Sequence, residues 1–198
     1  MSVLLIAGSP SETSRSAALL DAVRTRLLAH DALVDKVLIR DLSPQALLLA
    51  DVGHRSIARA LDQVQRARAI VVATPVYKAA YSGVLKVFLD LLPQTAFKNK
   101  TVLPLATGGS PNHMLALDYA LRPVLQSLGA HLILPGIFAT DAQVALLPEG
   151  GYQIQDEIQQ RLDAAVAQLP LSAGRRSALP SAARGFAPVH FSSVRCSV

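Results

Sequence analysis

Ser2-Val3-Leu4-Leu5-Ile6-Ala7-Gly8-Ser9-Pro10-Ser11-Glu12-Thr13-Ser14-Arg15-Ser16 is the stretch on which the fold turns. Residues 2–8 form a short apolar run with no polar alternation. That is the pattern of a strand buried on both faces, as in a parallel sheet. A loop rich in hydroxyls follows, and then an amphipathic segment, residues 14–30. There Leu19, Leu20, Val23, Leu27 and Leu28 recur at helical spacing. Strand, polar loop and helix in that order make the first unit of an α/β fold.

The same alternation continues outward along the chain. Residues 33–39 read as a second strand and residues 54–66 as a helix, with Ile57, Leu61 and Val64 on one face. Residues 69–74, 101–107 and 131–138 read as three more strands, the last made irregular by Pro135. Residues 83–92, 112–128 and 153–169 read as helices. Five strands alternating with five helices predict a parallel five-stranded sheet with helices on both faces. The order 2-1-3-4-5 is expected. It brings the ends of strands one, three and four to one switch point, where open α/β sheets bind ligands.

The chain has 198 residues, of which 51% are hydrophobic, enough for one domain with a sizeable core. One domain is expected over residues 1–170. Residues 171–198 read as a basic, flexible tail holding Arg175, Arg176, Arg184 and Arg195 and no acid. That tail supplies most of the formal charge of +5, so the body has no basic face of the kind nucleic acid requires. The single cysteine, Cys196, excludes an internal disulfide framework and a thiolate metal cluster. No HExxH, Cys/His set or calcium-loop motif occurs, so no metal is expected. The apolar start is too short for a secretory signal, and no run reaches the roughly 18 residues of a membrane span. A cytoplasmic protein is expected.

Three loops carry the candidate chemistry. The first, residues 8–16, offers Ser9, Ser14, Ser16 and Arg15 at a helix start, a setting that suits a phosphate dianion. It reads equally as a plain N-cap by Ser14. The second, Thr74-Pro75-Val76-Tyr77-Lys78-Ala79-Ala80-Tyr81-Ser82-Gly83, gives a flat apolar wall for a ring system, or simply a packed turn. The third, Thr107-Gly108-Gly109-Ser110-Pro111-Asn112-His113, lets backbone N–H groups approach a ligand, or is an ordinary glycine turn. One phosphate loop, one wall and one set of donors suit a mononucleotide better than a dinucleotide. No convincing acid–base dyad appears, and no catalytic side chain is assigned.

At these loops the chain resembles the NADPH-dependent FMN reductases of flavodoxin-like fold, and among them the reductases of two-component alkanesulfonate monooxygenase systems. The resemblance rests on Ala7-Gly8-Ser9-Pro10 with Ser14-Arg15-Ser16, on residues 72–83, on residues 102–109, and on Asp118-Tyr119-Ala120-Leu121-Arg122-Pro123-Val124-Leu125. It implies that reduced nicotinamide, as NADPH or NADH, passes a hydride to FMN, and that reduced FMN goes to a separate monooxygenase. It further implies phosphate contacts from Ser9, Ser14, Arg15 and Ser16. Pro75, Val76, Tyr77 and Lys78 would line the flavin, and Thr107, Gly108 and Gly109 would touch its ring. Tyr119 falls where alkanesulfonate-type reductases carry an inserted tyrosine, which predicts a π-turn before Pro123 at a tetramer interface. Pro123 points the same way, because it lacks an N–H and crowds the carbonyl four residues back. A homo-oligomer is also expected from the apolar faces of helices 83–92 and 112–128. The alternatives are a flavin-retaining quinone or azo-dye reductase and a flavodoxin-type electron carrier.

Overall fold

The computed structural model describes residues 2–171. The expectation for the tail therefore lies outside the described residues, apart from Leu171. Strand β1 (Ser2–Ala7) sits between β2 (Leu33–Leu38) and β3 (Ala69–Tyr77). All pair in parallel, and β3 pairs onward with β5 (Thr101–Gly108). Between them lies β4 (Ala80–Tyr81), a two-residue strand antiparallel to the end of β3. The last position is occupied in turn by β6 (Leu132–Ile133) and β7 (Ile137–Thr140), both parallel to β5. The five-position order is the one expected; the sheet counts seven strands because one position is split and a hairpin arm is added.

The split has a local cause. Between the pairs Val102↔Ile133 and Leu105↔Ile137, the outer strand carries one residue more than β5, a bulge around Pro135 and Gly136. Pro104 stands on β5 opposite this break. A proline has no ladder N–H, so an interior strand tolerates it best where pairing already lapses. Gly136 is needed there, since an added Cβ would lie 2.9 Å from Leu117 Cδ1 and 3.5 Å from Pro104 Cγ.

The unbroken apolar runs are explained by two cores. Val3, Leu5 and Ala7 face α1 (Arg15–Ala29) and α6 (Asp156–Val166), with Leu19, Leu27, Ile158 and Leu162 on the opposing helices. Leu4 and Ile6 face the other way, toward α3 (Arg55–Arg66) and α4 (Gly83–Asp90). Ile57, Val64, Leu85 and Phe88 close over them. Each valine, leucine, isoleucine or phenylalanine side chain so taken from water contributes about 1.5–3 kcal/mol.

Besides β4, a short helix and a second hairpin were not expected. A short helix α2 (Pro44–Leu48) is capped by Ser43, whose Oγ accepts from the Ala46 N–H, with Pro44 in its first turn. A hairpin pairs β8 (Val144–Leu146) with β9 (Tyr152–Ile154) through a turn in which Gly150 and Gly151 take positive φ. The helix expected over residues 112–128 is instead three pieces. A 3-10 turn (Pro111–Met114) and a π-helix (Leu117–Leu121) precede α5 (Arg122–Ser127). The π-turn is where Tyr119 and Pro123 placed it. Its widened ring is closed by the Arg122 N–H, which donates to the Leu117 carbonyl five residues back.

Helix α4 is covered more fully than its sequence implied. Leu85, Phe88, Leu89 and Leu92 are buried, and Val84, Val87 and Leu91 pack half-buried on the same core. Among the large apolar side chains left open, Met114, Leu115 and Tyr119 cluster around the π-helix, Tyr119 at 79%; Leu33, Leu48, Leu49, Leu132 and Leu146 are open at other places on the surface. Among the described residues no helix is long and apolar enough to cross a membrane.

Candidate active site

The carboxyl ends of β1, β3 and β5 are tied together by backbone. The Gly8 N–H donates to the Ala73 carbonyl at 2.7 Å, carrying the β1 ladder one residue past the strand. The Gly8 carbonyl accepts from the Ser82 hydroxyl, which also caps α4 by accepting from the Leu85 N–H. A Cβ on Gly8 would lie 3.0 Å from both the Ala73 carbonyl oxygen and Leu85 Cβ, so only glycine allows this approach. Thr74 completes the clamp: its Oγ1 accepts from the Ser82 N–H at 3.0 Å and donates to the Pro75 carbonyl at 2.9 Å.

Around this clamp runs a polar cleft of about 280 Å³. Its floor at β1 is Ser9, buried, whose Oγ accepts from the Ser11 N–H at 3.1 Å. Ser14 is the N-cap of α1, accepting from the Ala17 N–H at 3.4 Å. The cleft thus opens on a helix N-terminus, the positive end of the macrodipole. Pro75, Val76 and Tyr77 form the second wall, with Tyr77 half exposed. Thr107, Gly108 and Gly109 form the third. A Cβ on Gly108 would meet His113 Nδ1 at 3.2 Å and Phe138 Cζ at 3.3 Å. That His113 nitrogen is buried and has no hydrogen-bond partner among the described residues.

Two of the expected residues stand apart from the lining. Ser16 is buried beneath the loop, where its hydroxyl shares a 2.9 Å hydrogen bond with Ser14 Oγ and so orients the cap. Lys78 is exposed at the β3–β4 hairpin tip. There Lys78 and Ala79 take φ of 49° and 63°, two successive left-handed residues as a tight primed turn requires.

Four lining residues escaped the sequence reading: Ser11, Thr13, Asp141 and Tyr152. Asp141 follows β7, and its N–H donates to the Gly108 carbonyl at 3.2 Å. Tyr152 opens β9. Together they make a fourth wall, joined to the first by Arg15, whose Nε donates to the Val144 carbonyl at 3.0 Å. The signal for this wall was the Pro148-Glu149-Gly150-Gly151 turn between two short apolar segments.

A larger hollow, about 610 Å³, lies between α3 and residues 92–100. Leu61, Val64, Leu92, Pro93 and Ala96 line it together with Gln65, Lys98 and Lys100, but it lies at the amino end of β5, away from the carboxyl strand ends where open α/β sheets bind ligands, so the chemistry is assigned to the smaller cleft. That cleft fits a flavin mononucleotide on its own features. Hydroxyls, a cation and a helix start face one end, an apolar wall stands beside them, and Gly108 and Gly109 leave the third wall low.

The chain matches the NADPH-dependent FMN reductase family over residues 1–145. It is 46% identical over 166 residues to "FMN reductase (NADPH)" of Escherichia coli K12, covering 84% of this chain and 86% of that protein. It is 48% identical over 145 residues to the protein of the same name from Pseudomonas putida KT2440, covering 73% and 74%. Among solved structures, the apo form of the NADH:FMN oxidoreductase EMOB superposes with a TM-score of 0.78 at 40% identity, covering 87% of this chain and 91% of that one.

Proposed function

Because the chain belongs to the NADPH-dependent FMN reductase family, we propose that the cleft at the strand ends is where FMN binds and is reduced. The enzyme is an NAD(P)H-dependent FMN reductase, an oxidoreductase of flavodoxin-like fold. The observation that carries the reading is convergence: a phosphate-type helix start, an apolar wall and a glycine turn lie at neighbouring strand ends of one sheet.

When bound, flavin accepts a hydride from reduced nicotinamide, chemistry that belongs to those two molecules. The chain supplies position. Ser9, Ser14 and Arg15 hold the phosphate, Ser16 orients the Ser14 hydroxyl, and the α1 N-terminus adds its dipole. Pro75, Val76 and Tyr77 support the ring system, and Thr107, Gly108 and Gly109 offer backbone donors to its polar edge. No side chain is required to move a proton for hydride transfer.

Reduced FMN then leaves for a separate flavin-dependent monooxygenase of the alkanesulfonate-desulfonating type, and the enzyme works as a tetramer built on the π-helix face. The open position of Tyr119, Leu115 and Met114 supports the assembly. Steady-state oxidation of NADPH and of NADH, with FMN, FAD and riboflavin in turn, tests the activity. Dependence of the rate on added FMN is expected. A rate independent of added flavin, with flavin co-purifying and a quinone or azo dye as acceptor, would replace release by retention.

A further inference from the structure

Arg15 is the cation of the cleft, and a carboxylate already stands beside it. Asp141 Oδ1 lies 3.7 Å from Arg15 Nε, with both side chains between a third and a half exposed. The backbone sets Asp141 in place, through its N–H on the Gly108 carbonyl. Its Oδ2 lies 3.8 Å from where a Cβ on Gly109 would stand. The carboxylate therefore overlooks both the helix start and the glycine turn. A cleft shaped only to retain a phosphate dianion gains nothing from such a neighbour, which repels the phosphate and competes for the guanidinium.

We propose that Asp141 is a release residue, a resident carboxylate that rivals the FMN phosphate for Arg15 and keeps flavin affinity low enough for the product to leave. The inference rests on the cleft being the FMN site. Asp141 acts through Arg15 and through its own charge, so it is a specificity-determining residue and not a catalytic one. Its influence falls on flavins that carry a phosphate, and it is greatest at low ionic strength. Because the pair is half exposed, the effect is a few-fold rather than several decades.

The test is a fluorescence titration of the full chain with FMN and with riboflavin, for wild type, Asp141→Asn and Asp141→Ser. Both variants keep the backbone hydrogen bond, and thermal melts check that they fold. The expected result is FMN binding tighter by about three- to tenfold in both, riboflavin within about twofold, and a gain that shrinks at high salt. FMN dissociation, followed by stopped flow, should slow by the same factor. Wild type that binds FMN, with variants that bind it no more tightly, overturns the proposal and leaves the site reading standing. Equal tightening of FMN and riboflavin overturns it as well, because the phosphate would then play no part. Wild type that binds neither flavin overturns the site reading and this inference with it.

Discussion

Gly8 holds the cleft together through both its N–H and its carbonyl. Gly8→Ala would drive a methyl against the Ala73 carbonyl oxygen, which is backbone and cannot swing aside. A loss of about 2–3 kcal/mol is expected, read as a lowered midpoint in urea unfolding. Arg15→Ala should weaken FMN binding by roughly tenfold or more and riboflavin binding far less, since only FMN offers a dianion for a charge-assisted contact. Paired titrations check this, and equal losses would assign Arg15 to holding the β8–β9 hairpin through Val144. The residues legible in the sequence were those on loops that follow a strongly apolar strand, such as Ser9, Tyr77 and Gly108. Asp141 and Tyr152 were not legible, because Asp141 sits in the turn after the short strand β7 and Tyr152 in a hairpin whose strands are three residues each. Ser16 carried the right signal for the wrong place: a hydroxyl next to a cap points to the cap as readily as to a ligand.

The π-helix of residues 117–121 accommodates one residue more than an α-turn. Deleting Tyr119 is expected to restore a regular helix from Leu115 to α5 and to remove the most exposed aromatic among the described residues. If that face tunes release, the deletion variant should purify yellow, with slower turnover on free FMN; a colourless, fully active variant would separate the π-turn from flavin release. Strand β4 and helix α4 give a pH prediction. Burial raises the Tyr81 hydroxyl, with Asp90 adding to the rise and Lys86 opposing it. The hydrogen bond to Asp90 raises the Lys86 ammonium. Both folded values lie above the unfolded ones, so their stabilisation is whole below about pH 10 and is lost as pH climbs through the folded values. Urea unfolding at about pH 8 and about pH 11 should show the fall, and Tyr81→Phe should shrink it. Strand and helix existence was legible because the apolar runs and the 3.6-residue stripes are long. The α2 helix was missed although Ser43-Pro44 is a cap followed by a first-turn proline, because five residues are too few to show a period.

As a whole, the chain should sediment as a tetramer at micromolar concentration. Leu115→Ser combined with Tyr119→Ala should shift it to smaller species, because those side chains stand more than half open among the described residues. The order of the sheet was legible from where the ligand-type loops fall, and the break in its last position only in part. Pro135 announced irregularity, but the matching Pro104 lies in a run that otherwise reads as an interior strand. That break has a kinetic consequence. The strands β6 and β7 are short, pair on one side only among the described residues, and share no continuous ladder, so they are expected to open as a unit before the rest of the sheet. The wall bearing Asp141 and Tyr152 hangs from that unit. Amide protons of residues 132–154 are therefore expected to exchange orders of magnitude faster than those of β1 and β3. If the cleft breathes along this seam, bound FMN should slow the exchange of residues 132–154 selectively, so the timing of flavin exit is set at the edge of the sheet.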